Sequence, residues 1–353
     1  MKDLDDIKSL EAVDKSGMAG LINEYPEMMK EALEISFQKG FGLDKSGVRN
    51  IIIAGMGGSA ISGDIVSKLM AGTGDVPVQV IRNYDLPKYA GKDTLVFILS
   101  YSGNTEETLS ALDQAVKSGA KIIAMTSGGA LKEKASSAGI PVALIRPGLP
   151  PRASTPYLLV PMLMVLEDLM IFPGARDQVK ECISVLADMR LHMNILNVKE
   201  KNPAKKAASA LKGKVPLIFG TPDSGDVASF RWKTQLSENS KVTSVQNVFP
   251  ELDHNEIVNL GELKKGSNDF ALVLLRDKRD SERMKLRADI TRDLVSSGIE
   301  NVFEIWAEGS GHLSRILSLC YFGDWVSLYL AVLNRTDPTP VRTIDRLKKE
   351  LAG

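Results

Sequence analysis

A short β-branched run that ends in a Gly/Ser turn and passes into a helical pattern occurs twice in this chain, and no other feature constrains the fold as much. In the first stretch, which begins at Val48, residues 51–54 read as a buried strand and 59–71 as a helix. Residues 78–81 and 94–99 read as strands, the second ending at Ser100. Helix 106–117, strand 121–125, helix 129–138 and strand 141–145 follow. The second stretch offers strand 215–219, helix 226–238, strands 241–248 and 270–275, helix 281–296, strand 301–305 and an apolar helix from His312 to about Leu333. Strand and helix alternating at this pitch build a parallel sheet covered on both faces, so the expected fold class is α/β with two tandem doubly wound domains. A chain of 353 residues suits two cores of about 150 residues each. The expected boundaries are 1–170, a helical linker at 171–206, and 207–353. The tail DPTPV stops the long helix, and the short amphipathic helix running on to Leu351 should dock somewhere specific.

Composition excludes several classes of function. Lysine plus arginine and aspartate plus glutamate stand at 44 each, so no net field draws in nucleic acid or an anionic membrane. An anionic ligand must then be held by local geometry. Cys182 and Cys320 are far apart and have no His or Cys at ligand spacing, which argues against a disulfide framework and a zinc site and for a reducing cytoplasm. The amino-terminal residues alternate in charge and lack the apolar core of a secretory leader. No segment is expected to reach membrane-spanning length.

The first candidate constellation is GMGGSA, residues 55–60, where a buried strand becomes a helix. Glycines there, with Gly57 and Gly58 at the centre, let backbone N–H groups turn inward, and the helix amino terminus adds partial positive charge. The same residues satisfy the dinucleotide pattern, but that reading wants an acid closing the second strand. Arg82 and Asn83 stand there, so only an NADP-dependent rival survives. The second constellation is SYSGNTEET, residues 100–108, again between strand and helix. It can be an ordinary helix cap, with Ser102 or Asn104 accepting from the first-turn N–H groups. Alternatively Ser100, Ser102 and Thr105, with the flexible Gly103, supply convergent neutral donors for a phosphate.

GMGGSA followed by SYSGNTEET resembles the sugar isomerase (SIS) domain, a flavodoxin-like fold in which these two turns form a sugar-phosphate pocket. Further segments narrow the likeness: PRAS at 151–154, QLSENSK at 235–241, PELDHNEIVNL at 250–260, GSGHLSRILSLCYFGDWVSLYLA at 309–331, and the DPTPV tail. Together they resemble the bifunctional phosphoglucose/phosphomannose isomerase family over nearly the whole chain. That resemblance implies an aldose-ketose isomerase acting on hexose 6-phosphates through an enediolate, with no metal and no cofactor. It also implies a homodimer. The phosphate would be held by Gly57, Gly58, Ser59, Ser100, Ser102 and Thr105.

The resemblance makes Glu238 the base that moves the proton between C2 and C1. His254 becomes the ring-opening group, contributed across the dimer interface, and its ordinary pKa of about 6.5 suits proton exchange with a ring oxygen. Arg152 would stabilise the enediolate, a task its planar, permanently charged fork fits better than lysine does. Lys348, or its neighbour Lys349, would fold back toward the sugar, and one of Thr339, Val341 and Thr343 would govern tolerance of both C2 epimers. Without the family, each has a plainer reading: Glu238 a solvated helix-end carboxylate, Arg152 a surface-loop arginine, His254 a capping or surface residue. His192 belongs to the linker helix and His312 to the start of the long helix. Two rivals remain: a sugar-phosphate sensor that has lost catalysis, and an SIS isomerase for another sugar phosphate, such as an amino sugar or a heptose.

Overall fold

The computed structural model describes residues 4–36, 47–72, 74–263 and 269–351. In chain order the elements are α1 (Ile7–Val13), α2 (Met18–Asn23), α3 (Tyr25–Ala32), β1 (Asn50–Gly55), α4 (Gly57–Ala71), β2 (Val78–Ile81), β3 (Thr94–Leu99), α5 (Glu106–Ser118), β4 (Lys121–Thr126), α6 (Gly129–Ser137), β5 (Val142–Leu144), α7 (Thr155–Asp168) and α8 (Ala175–Met193). They continue with α9 (Pro203–Leu211), β6 (Val215–Gly220), α10 (Gly225–Gln235), β7 (Val245–Val248), α11 (Glu256–Gly261), β8 (Phe270–Arg276), α12 (Glu282–Val295), β9 (Val302–Trp306), α13 (His312–Leu333) and α14 (Arg342–Leu351). Contacts divide the chain into two compact units, Glu24–Ser184 with Ser310–Ser314, and Met1–Asn23 with Val185–Gly309 and Arg315–Gly353.

The first unit carries a parallel sheet in the order β2-β1-β3-β4-β5. Strands β1 and β3 are buried almost throughout, which is why they read as unbroken apolar runs rather than as alternating ones. Ile52, Ala54, Val96 and Ile98 pack with Ala111, Leu112 and Ala115 of α5 and Leu131 of α6 on one face. Full burial of each large aliphatic chain there contributes about 1.5–3 kcal/mol. On the other face α4 lies so close to the sheet that a Cβ on Gly63 would stand 2.9 Å from Ile53 Cγ2.

The second unit repeats the plan with a parallel sheet β7-β6-β8-β9. Leu217, Phe219, Leu272 and Leu274 form a core with Ala288 and Val295 of α12. The amino-terminal residues grouped with this unit are tied to it by polar bonds. Lys205, fully buried, pairs with Asp5 at 3.1 Å, Asp5 also accepts from the Lys199 N–H, and Arg190 donates to the Asn23 carbonyl. The stretch expected as a bridging helix and linker holds α8 and the start of α9, separated by a 3₁₀ turn at Lys199–Lys201, with Asn202 capping α9 through the Lys205 N–H.

The expectation that nothing is long enough to span a membrane does not hold. Helix α13 has 22 residues and a mean hydropathy of 1.7 over its most apolar window, long and apolar enough by composition. Of that window 89% is buried inside the protein, so its apolar surface serves as core. Trp232 of α10 packs so tightly on α13 that a Cβ on Gly323 would meet its indole at 2.3 Å, and the indole N–H donates to the Leu319 carbonyl at 2.8 Å.

Candidate active site

Strands β1 and β3 lie side by side, and the connections after them run to opposite sides of the sheet. The crevice where strand order reverses is the usual ligand site of such a fold, and both Gly/Ser turns open there. In the first, Met56 precedes α4 with no side-chain cap, and Gly57 adopts the left-handed region at φ 50°. The first-turn N–H groups of α4 therefore face an entry with no capping side chain, and Ser59 sits buried among them.

The second turn differs from the capping expectation. Neither Ser102 nor Asn104 caps α5. The residue before α5 is Thr105, and it makes no side-chain cap bond either. Asn104 instead accepts from the Ala130 N–H and so caps the neighbouring α6, and the Ser102 hydroxyl accepts from the Asn104 N–H. Ser100, buried, donates to the Thr105 hydroxyl at 3.0 Å and accepts from the Gly103 N–H at 3.1 Å, which fixes the turn from inside. Gly103 has φ 71°, and a Cβ on it would collide with the Gly128 carbonyl at 1.8 Å. Two adjacent helix amino termini without side-chain caps, both carrying hydroxyls, suit a dianionic phosphate.

Arg152 stands in a 3₁₀ turn, Pro151–Ala153, and is buried at 3% exposure, so the surface-loop reading is excluded. Its backbone is pressed against the first Gly/Ser turn. A Cβ on Gly58 would lie 2.8 Å from the Pro151 carbonyl oxygen and 2.9 Å from Arg152 Cα. The first unit thus gathers Gly57, Gly58, Ser59, Ser100, Ser102, Thr105 and Arg152 at one end of its sheet.

Glu238, His254 and Lys348 belong to the second unit. The helix expected over 226–238 ends at Gln235 and continues as a π-helical turn, Leu236–Ser240, with Glu238 in its middle; the strand expected from 241 starts only at Val245. Glu238 is half-buried rather than a solvated helix end. Asn239 donates to the Ser327 hydroxyl at 2.9 Å and Ser240 to the Ser327 carbonyl at 2.6 Å, which pins the π turn to α13. Beneath it a buried bidentate pair joins Arg231 to Asp324 at 3.0 and 2.7 Å, and Gln235 donates to the same carboxylate. Sequence reasoning missed these supports, which carry no local signature. π turns recur at functional sites because the extra residue redirects a side chain.

His254 ends a 3₁₀ turn, Glu251–His254, and is exposed. Its neighbour Asp253 is not turned to the imidazole; it binds Arg287 at 3.0 Å and Thr291 at 2.8 Å on α12. Helix α14, carrying Lys348 and Lys349, has no buried residue within this chain, so the docking expected of it is not made here. The switch point of the second sheet is closed by the chain's own carboxylate. There buried Asp277 accepts from the Ser224 hydroxyl, the Arg279 N–H at 2.8 Å and Arg315 Nε at 2.8 Å. Burial pushes its pKa up, but those three partners outweigh burial and hold it below the ordinary carboxylate value.

Comparison with known proteins agrees with this division. Residues 46–137 match the SIS domain family, and residues 200–351 match the bacterial phospho-glucose isomerase C-terminal SIS domain. A bifunctional phosphoglucose/phosphomannose isomerase of Caldicellulosiruptor bescii is 43% identical over 93% of this chain and 96% of its own. Its counterpart in Aquifex aeolicus is 36% identical over 87% of this chain and 92% of its own. The crystal structure of a glucose-6-phosphate isomerase like protein from Thermus thermophilus shares the fold, with a TM-score of 0.66 at 20% identity and 99% of both chains covered. With two SIS-type domains and relatives this similar along nearly its whole length, the chain belongs to the bifunctional phosphoglucose/phosphomannose isomerase family.

Proposed function

We propose that this chain interconverts glucose 6-phosphate, and with it mannose 6-phosphate, with fructose 6-phosphate by proton transfer through an enediolate. The observation that carries the reading is the pair of uncapped helix amino termini at the first sheet's switch point, with buried Arg152 packed on one of them. Backbone N–H groups at Gly57 and Gly58, with Ser59, Ser100, Ser102 and Thr105, hold the phosphate. That binding energy goes into orienting the sugar.

The remaining roles follow the chemistry of the reaction. His254 and Lys348 exchange protons with the ring oxygen and the anomeric hydroxyl and open the ring. Glu238 removes the C2 proton and returns it to C1, or the reverse. Arg152 balances the negative charge that grows on the enediolate oxygens. The intermediate has lost its C2 stereochemistry, so rotation about the adjacent bond lets one base serve both epimers. Every proton movement is assigned to a side chain, and no metal or cofactor enters a step.

The working assembly in this proposal is a homodimer in which His254 of each protomer reaches its partner's site; the exposed position of His254 supports it. Two buried free thiols suit a reducing cytoplasm, and the reaction places the enzyme in glycolysis and gluconeogenesis. The test is fructose 6-phosphate in deuterated, metal-free, nucleotide-free buffer, followed by NMR. Deuterium at C2 of both aldoses is the expected result. A single labelled epimer would remove the dual specificity and leave the mechanism, whereas saturable binding without turnover would make the chain a sugar-phosphate sensor.

A further inference from the structure

The π turn that carries Glu238 ends on Lys241, whose backbone lies in the left-handed region at φ 55° and ψ 38°. That conformation after a helix usually falls to glycine or asparagine, because a β-carbon there crowds the following carbonyl. A lysine in that place keeps a side chain that glycine would lack, and the ammonium is fully engaged. Lys241 Nζ lies 2.6 Å from the Glu238 carbonyl oxygen, 3.1 Å from that of Asp337 and 3.2 Å from that of Pro338. Its three donors thus meet three carbonyls, one from the catalytic turn and two from a strap 96 and 97 residues further on.

The strap bears on the same cleft. Beyond Pro338 the chain supplies Val341 and Thr343, which with Ser237, Glu238, Lys241 and Arg335 line one open hollow. It then enters α14, which buries none of its own residues.

We propose that Lys241 is a positioning residue that latches the strap to the turn bearing Glu238 and so sets the shape of the cleft in which the base works. The functional part rests on the reading of Glu238 as the base; the latch itself does not. The ammonium can fan three donors toward three oxygens, whereas the planar guanidinium of arginine cannot reproduce that geometry.

The test combines hydrogen exchange on the full-length protein with steady-state kinetics on fructose 6-phosphate, for Lys241→Met, Lys241→Arg and Glu238→Gln. Lys241→Met is expected to speed exchange of the strap amides by about tenfold or more while α13 keeps its protection. It should raise KM by about tenfold with kcat held within about threefold, and Lys241→Arg should fall between. Glu238→Gln should leave strap exchange unchanged whether or not it abolishes turnover, so an error in the base assignment is seen separately. Strap exchange unmoved in Lys241→Met, or faster exchange with an unchanged KM, overturns the proposal. Loss of protection in α13 as well would mark a general structural role and overturn it equally.

Discussion

Gly58 and Arg152 are packed backbone to backbone: a β-carbon on the first would stand 2.9 Å from the Cα of the second. The first Gly/Ser turn and the turn that carries Arg152 are therefore one mechanical piece. Gly58→Ala must push the Pro151–Ala153 turn outward, because the clashing atoms are backbone and cannot rotate aside. Misplacement on the ångström scale costs about a hundredfold in rate. We expect kcat/KM for fructose 6-phosphate to fall by about that factor with a shift in melting temperature of only a few degrees, on the order of a 1 kcal/mol change. Wild-type kinetics in this variant would disconnect the two elements.

Arg152→Lys keeps the charge and loses the planar fork. If the guanidinium meets the enediolate, kcat should drop by about 10²–10³ while KM changes little, since the interaction is made in the transition state. A raised KM with normal kcat would move Arg152 to ground-state binding of the phosphate.

The Arg231–Asp324 pair is buried at 2% and 3% side-chain exposure. Asp324→Asn leaves the guanidinium without its counter-charge and also weakens the bond from Gln235. Loss of one partner of a buried pair destabilises by about 3–5 kcal/mol, to be read as a fall in the urea midpoint at constant slope. The double change Arg231→Met with Asp324→Leu should recover much of that stability without recovering full activity, because Gln235, the residue leading into the π turn, loses its anchor.

Glu181 of α8 ties down the residues that lead into α13. Its carboxylate accepts from the Ser310 N–H at 2.8 Å, the Ser310 hydroxyl at 3.2 Å and the Gly311 N–H at 3.4 Å. Burial raises its pKa, but bonds from Ser314, Ser310 and Gly311 outweigh burial and hold it below 4.5. A carboxyl lowered in the folded state stabilises fully above its unfolded pKa and loses that contribution as pH falls through the folded one. Glu181→Gln should therefore lower stability by about 1 kcal/mol at neutral pH, the usual net worth of a hydrogen bond, and converge on the wild type below the folded pKa. Urea midpoints at neutral and acid pH decide it; an equal gap at both would show that ionisation of Glu181 is irrelevant.

Burial pushes the Cys320 thiol up to about 12, and Cys182 is equally enclosed. Cys320 cannot supply thiolate in the folded protein at mildly alkaline pH, and burial keeps a reagent from the Cys182 sulfur. A thiol-titrating reagent should find no reactive group in the native enzyme and both after denaturation. Rapid modification without unfolding would contradict the burial of α8 and α13.

Most of the sheet framework was legible because buried parallel strands have to be apolar throughout and the turns after them have to be glycine and serine. Strands β1, β3, β6 and β8 lie within a residue or so of where their β-branched runs place them. The π turn at Leu236–Ser240 was not legible, because its cause lies 87 and 88 residues away in the bonds from Asn239 and Ser240 to Ser327. Burial of Arg152 escaped for a similar reason: PRAS gives no sign that a helix start will close over it. The glycines and hydroxyls that make the two turns candidate anion sites are local to the sequence and could be read there. Which helix Asn104 caps could not, since its partner Ala130 lies on a different element.

The salt link between Asp5 and Lys205 sets an order of events on the ribosome. Asp5 is made 200 residues before the lysine that seats it, which at about 5–20 residues per second is a wait of about 10–40 s. It is during that interval that Glu24–Ser184, which belongs to the other unit, is itself synthesised, while the helices α1 and α2 have nothing of their own unit to rest on. The amino-terminal segment is thus an early-born, late-docking piece, held in reserve until the second sheet exists to receive it.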